Sequence, residues 1–131
     1  MRTKIVAGNW KMNKDLEGTR ALLSDLIGHL PETSVAVMVA PPFVNLPTAV
    51  ETLQGVPVEV AAQNMHFADS GAFTGEISAD MLLSLGVKTV ILGHSERRAY
   101  FGEDNALLSK KLRDAIDKYA KHGLGTDRGG Q

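Results

Sequence analysis

The chain has 131 residues, with 14 Lys and Arg against 15 Asp and Glu, a formal charge of −1 and no cysteine. That length suits one domain with a real core, and interspersed charge of either sign excludes a basic field for nucleic acid or an anionic membrane. The missing cysteines exclude disulfides, thiolate nucleophiles and thiolate metal sites. No apolar run approaches the roughly 20 residues that span a bilayer, and Met1-Arg2-Thr3-Lys4 leads into a pattern too brief for a signal peptide, so a cytosolic location is expected. His29, His66, His94 and His122 do not fall at metal-ligand spacings, and no metal is expected. The doublets Arg97-Arg98 and Lys110-Lys111 read as solvated faces or ion-pair partners.

The first predicted strand runs from Lys4 to Asn9. Asp15 then caps a helix whose Leu22, Leu23, Leu26, Ile27 and Leu30 recur at helical spacing. A second strand, Val35 to Ala40, is broken by Pro41-Pro42 and followed by a short helix around Leu46, Ala49, Val50 and Leu53, with Asn45 as its cap. The third unit has a strand from Val58 to Ala62, a long loop from Asn64 to Ile77 and a helix from the cap Ser78 to Leu85, stopped by a left-handed Gly86. The fourth has a strand from Thr89 to Leu92 and a helix capped near Asp104, with Leu108, Leu112, Ala115, Ile116 and Tyr119 on one face and Gly123 as its end. Apolar strands alternating with helices predict an α/β fold with a parallel sheet.

Two architectures compete, a small doubly wound sheet and an arc of a (β/α)8 barrel. Gly8-Asn9-Trp10-Lys11 is not the glycine-rich phosphate turn of a dinucleotide fold, and no P-loop pattern occurs. The barrel explains more. Each strand's carboxyl end carries distinctive groups: Asn9 and Lys11, Pro41-Pro42-Phe43, Gln63 and Asn64, then His94 and Glu96. In barrels that rim is the site.

Lys11 offers an ammonium for a phosphate or a developing oxyanion, or is simply an exposed turn lysine. Asn9 could hold a ligand by its amide or serve as a turn former. His94 precedes a helical turn, Ser95-Glu96-Arg97-Arg98, whose free N–H groups disfavour a protonated imidazole; the plainer readings are a packed or capping histidine, with Ser95 as the N-cap and Glu96 as a first-turn acid.

Three ordered motifs carry a resemblance: Val6-Ala7-Gly8-Asn9-Trp10-Lys11-Met12-Asn13, Ser70-Gly71-Ala72-Phe73-Thr74-Gly75-Glu76 and Ile91-Leu92-Gly93-His94-Ser95-Glu96-Arg97-Arg98. Together they closely resemble triosephosphate isomerase, from about Arg2 to Leu124, which is strand one to helix four of that eight-unit barrel. The resemblance implies a half-barrel of four parallel βα units over residues 1–124, with 125–131 as a flexible tail. It implies proton transfer between dihydroxyacetone phosphate and glyceraldehyde 3-phosphate, in glycolysis and gluconeogenesis, without a cofactor. His94, Lys11 and Glu96 would be catalytic, Asn9 and Lys11 substrate-binding, and Ser95 a supporting residue. Phe73, Thr74 and Glu76 would lie on a loop inserted into a neighbouring subunit, and Arg97 with Glu103 would form a structural ion pair.

The base glutamate after strand six and the phosphate loops after strands seven and eight have no counterpart in these residues. The chain by itself is therefore expected to be inactive and to bind triose phosphate only in a completed site. Open sheet edges further predict a homo-oligomer or pairing with a complementary C-terminal half-barrel. A catalytically silent, self-associating half-barrel is the alternative.

Overall fold

A computed structural model describes residues 4–121. Four strands, β1 (Ile5–Asn9), β2 (Ala36–Ala40), β3 (Val58–Ala62) and β4 (Thr89–Val90), form one sheet in the order β1-β2-β3-β4. Every pairing is parallel, with Ile5 opposite Ala36, Met38 opposite Glu59 and Ala61 opposite Thr89. The connections are helical: α1 (Leu16–His29), α2 (Leu46–Thr52), α3 (Ala79–Ser84), then α4 (Ser95–Tyr100) and α5 (Asn105–Lys121). This sequential parallel order is the architecture of half a (β/α)8 barrel.

Local chemistry explains most boundaries. Asp15 accepts the Gly18 N–H and Ser78 accepts the Met81 N–H, so both side chains satisfy a donor that the first helical turn leaves free. Gly86 closes α3 at φ +83°, a conformation that costs a residue with a Cβ.

The core lies between the sheet and the helices. Leu23, Leu46, Ala49, Met65, Leu82 and Val87 are at most 1% exposed and pack around Val39, Val58 and Val60. Each large side chain so buried contributes about 2 kcal/mol. β1 is open on both faces, since Ile5 through Gly8 are all exposed and successive residues point to opposite sides.

Three expectations need correction. β4 ends at Val90 rather than Leu92; Ile91 N–H still donates to the Ala62 carbonyl at 2.8 Å, but the chain then turns through Gly93 at φ +71°. Asn45 occupies the N-cap position of α2 without capping it: its backbone, at φ −101° and ψ −1°, is already helical rather than extended, and its amide donates to the Lys14 carbonyl at 2.8 Å and ties α2 to the loop after β1. The buried row of α5 is Lys111, Ala115 and Tyr119; Leu112 and Ile116 stand one position round the helix and are exposed. Of the two readings of the Lys110-Lys111 doublet, Lys111 meets the second: it is buried as an ion-pair partner of Glu103. The predicted stop at Gly123 and the tail 125–131 lie outside the described residues.

Candidate active site

The polar side chains at the carboxyl ends of the strands converge on a cleft of about 220 Å³ lined by Asn9, Lys11, Gln63, Asn64, His94 and Glu96, among others. A larger groove of about 580 Å³ lies at the other end of the sheet, between the end of α1 and the starts of β2 and β3, and is lined mainly by Ile27, Leu30, Val35, Val37 and Val56. Size favours the second. Chemistry favours the first, since only a few convergent polar groups give a pocket a reaction.

The cleft is built from the strand ends upward. Asn9 closes β1, and its Oδ1 accepts the backbone N–H of Lys11 at 2.9 Å. That turn places Lys11 at φ +56°, a left-handed conformation unusual for a lysine. Gln63, one residue past β3, supports it from beneath. Its Nε2 donates to the Lys11 carbonyl at 2.9 Å and the Ala40 carbonyl at 2.7 Å, and lies 3.4 Å from Asn9 Oδ1. One amide thus ties together the ends of three strands.

Lys11 Nζ lies 2.7 Å from Glu96 Oε1, with both side chains partly exposed. The hydrogen bond and charge of Glu96 raise the Lys11 pKa, and the same hydrogen bond lowers that of Glu96, so each holds the other ionised.

His94, not Ser95, is the N-cap of α4. Its Nδ1 accepts the Glu96 backbone N–H at 3.1 Å, while Ser95 is the exposed first residue of the helix. An imidazole nitrogen that accepts a backbone N–H carries no proton, so Nε2 bears the ring's N–H. Glu96 Oε2 sits 3.6 Å from the same Nδ1, but the closer backbone donor decides the tautomer. Gly93 before it has a packing reason as well as its positive φ, because a Cβ there would stand 3.1 Å from Leu108 Cδ1.

Behind the cleft lies a buried charge cluster. Glu103, 1% exposed at its side chain, receives Lys111 Nζ at 2.5 Å and Arg97 Nε at 2.8 Å, both on Oε2. Lys111 Nζ also donates to Asn64 Oδ1 at 3.0 Å. Burial pushes the Glu103 pKa up, yet the hydrogen bonds from Lys111 and Arg97 outweigh it and leave the carboxyl below its ordinary value. Arg97 also covers the Phe101 ring, 4.9 Å from its centroid.

The loop between β3 and α3 is pinned at its neck by His66 N–H donating to the Ile77 carbonyl at 2.7 Å. Within it the rings of Phe67 and Phe73 flank His66, each at 4.3 Å, and Glu76 Oε1 lies 3.7 Å from His66 Nδ1. Phe73 and Thr74 are exposed at the tip, outside the residues that line the cleft. The structure therefore gathers Asn9, Lys11, His94 and Glu96 and leaves Phe73, Thr74 and Glu76 on a separate loop. Sequence reasoning placed Gln63 and Asn64 on the rim but gave them no task, and it missed Lys111; an amide two strands from its partner and a lysine buried by tertiary contacts carry no local signal.

Among the described residues no group of three or more His, Cys, Asp or Glu side chains is placed to hold a metal ion, and no helix is long and apolar enough to cross a membrane.

Parallel strands, helical crossovers and a polar cleft at the carboxyl ends define the class, a barrel enzyme's (βα)4 half. The family model for triosephosphate isomerase matches residues 4–122, so the chain belongs to the triosephosphate isomerase family. Curated triosephosphate isomerases from Flavobacterium psychrophilum and Flavobacterium johnsoniae are 58% and 56% identical over 117 residues, 88% of this chain and 47% of each relative. That of Clostridium acetobutylicum is 50% identical over 116 residues, 88% of this chain and 47% of the relative. The chain spans about half the length of the curated relatives it matches.

Proposed function

We propose that this chain supplies the electrophilic half of a triosephosphate isomerase site. The observation that carries the reading is the joint geometry of Lys11, Glu96 and His94: an ammonium fixed by a carboxylate 2.7 Å away, beside an imidazole whose Nδ1 is engaged and whose Nε2–H is left to donate. When a proton leaves the carbon next to a carbonyl, negative charge develops on the carbonyl oxygen. A lysine ammonium and a neutral N–H donor preorganised at that oxygen stabilise the enediolate. The Nε2–H can also pass a proton between the two oxygens of the enediolate. Asn9 orients the ligand and the Lys11 backbone, and Lys11 meets the phosphate as well as the oxyanion.

Removal of the carbon-bound proton and the main grip on phosphate are assigned to strands five to eight of the family barrel, supplied further along the same polypeptide or by a second chain. A positioned general base contributes about 10² to 10⁴ in rate. The chain by itself is accordingly read as inactive, and the glycolytic role, cytosolic setting and cofactor independence belong to the completed protein. Phe73 and Thr74, exposed on a loop stiffened by the His66 aromatic stack, are read as the contact with a neighbouring subunit.

A second reading, a silent half-barrel that self-associates, is favoured by β1, where Val6 is 60% and Ile5 36% exposed. A coupled isomerase assay of the chain, alone and titrated with a polypeptide carrying strands five to eight, separates the two. Turnover on mixing, abolished by His94→Asn, is the expected result. Turnover by the chain alone, lost on His94→Asn, refutes the division of labour; two folded chains with no turnover in any mixture favour the silent oligomer.

A further inference from the structure

Lys111 is the largest fully buried side chain of the described residues, and the proposed chemistry gives it no part. A buried ammonium persists only where its partners replace water. Its partners lead back to the cleft in both directions. Through Asn64 Oδ1, at 3.0 Å, it reaches the residue next to Gln63, whose amide holds the carbonyl of Lys11 at 2.9 Å. Through Glu103 Oε2, at 2.5 Å, it reaches Arg97 at 2.8 Å, and Arg97 lies next to Glu96 on α4. Glu96 then meets Lys11 Nζ at 2.7 Å. The contacts close a ring: Lys11, Glu96, Arg97, Glu103, Lys111, Asn64, Gln63 and back to Lys11. Every link is a side-chain contact or a single peptide unit.

We propose that Lys111 is a positioning residue, the buried closure of this ring, which sets where α4 begins relative to the end of β3 and so fixes the His94 imidazole against the Glu96 N–H. α4 has six residues, too few to hold its own place, since so short a helix gains little from its own hydrogen bonds. Glu103 and Arg97 anchor its inner side to α5, and Asn64 anchors α5 to β3. Without the closure, Lys11 and Glu96 form a pair on two independent loops; with it, both loops are referred to one buried point. The inference builds on the site proposed above, but its test needs no turnover, so the two stand or fall separately.

The test is made on this chain, labelled with ¹⁵N, in Lys111→Met, which keeps the apolar stem, and in Lys118→Met as a control on the same helix. Lys118 pairs with Asp69 and Asp80, outside the ring. Circular dichroism establishes folding, and the imidazole ¹⁵N signals of His94 report whether Nδ1 remains a pure acceptor. Lys111→Met is expected to move the His94 Nδ1 signal toward the tautomer average and to speed exchange of the Glu96 amide at least about tenfold, with Lys118→Met unchanged in both. A folded Lys111→Met chain whose His94 signal stays in place overturns the proposal, as does an equal change in Lys118→Met. If Lys111→Met does not fold, Asn64→Ala decides by the same criteria, because it opens the ring at β3 while leaving Glu103 paired with both cations.

Discussion

Gln63 donates from Nε2 to the carbonyl oxygen of Lys11 at 2.9 Å, and Lys11 holds a φ of +56° that a non-glycine residue adopts only at some cost. The two facts are one arrangement. The left-handed turn aims the lysine side chain at Glu96, and the glutamine keeps the turn from relaxing. Gln63→Ala is expected to leave the Lys11 carbonyl without its donor, while the Ala40 carbonyl keeps the Trp10 N–H at 3.1 Å, and to lower stability by about 1 to 2 kcal/mol, read as a lower urea midpoint with an unchanged slope. Adding Lys11→Gly should recover part of that loss, since glycine adopts the turn freely. No recovery in the double variant would show that the strain resides elsewhere.

Two residues at N-cap positions, Asp15 capping its helix and Asn45 bound to a distant carbonyl instead, give a sharper test. Asp15 accepts the Gly18 N–H at 2.8 Å at an exposed position. Asp15→Ala should therefore cost about 1 kcal/mol, whereas Asn45→Ala should cost more despite the same nominal position. Asn45 is 1% exposed, and its loss leaves the Lys14 carbonyl unpaired and a small cavity behind. Paired chemical denaturation curves check the order; equal losses would count against the assignment.

Much of the fold was legible because its signals are local. Asp15, Ser78 and Gly86 act on backbone groups within four residues, so composition and spacing suffice to place α1 and α3. The cleft's members were legible because strand ends collect polar residues. What stayed hidden depends on distant partners. Lys111 is buried by Asn64, 47 positions away, and by Glu103; Leu112 and Ile116 fit a helical stripe as well as Ala115 and Tyr119 do, and packing chose the latter. His94 as a cap lies outside the usual capping residues, so the neighbouring serine drew the assignment.

Tyr119 and Asp114 predict stabilising changes. The Tyr119 hydroxyl is buried without a hydrogen-bond partner among the described residues, and burial pushes its pKa up to about 12. Tyr119→Phe removes an unsatisfied polar atom and is expected to raise stability by about 1 kcal/mol. Asp114 likewise has a buried oxygen without a partner among the described residues, and burial, with Asp69 adding to it, raises its pKa. Its folded pKa lies above the unfolded one, so its ionised form opposes folding at neutral pH, and the opposition fades as the pH falls through the folded value. Asp114→Asn should raise the melting temperature at pH 7 and lose that advantage in acid. A constant advantage across pH would show that charge is not the cause.

Glu103 has the opposite sign. Its folded pKa lies below the unfolded value, so its contribution is complete above the ordinary glutamate range and is lost as the pH falls through the folded value. Glu103→Gln leaves Lys111 and Arg97 without their shared anion in a buried place, and a loss of about 3 kcal/mol at pH 7 is expected. The gap between Glu103→Gln and the parent chain should narrow on acidification, in thermal melts taken from pH 7 downward. A gap independent of pH would assign the effect to packing.

Lys11 tests whether the exposed pair serves stability or chemistry. Its side chain is 55% exposed and that of Glu96 39%, so water screens the 2.7 Å contact and the pair stabilises the fold little. Meanwhile the left-handed backbone at Lys11 is itself a cost, which alanine shares. Lys11→Ala should therefore leave the denaturation midpoint where it is. In a protein completed by strands five to eight the same change removes the ammonium from both the phosphate and the developing oxyanion, and kcat/KM is expected to fall by two or more orders of magnitude. A folding energy that is insensitive to Lys11, joined to a rate that depends on it, would show that the strained turn is retained for what the ammonium does to a bound anion. A drop in the midpoint with kcat/KM intact would make the pair structural and remove Lys11 from the reaction.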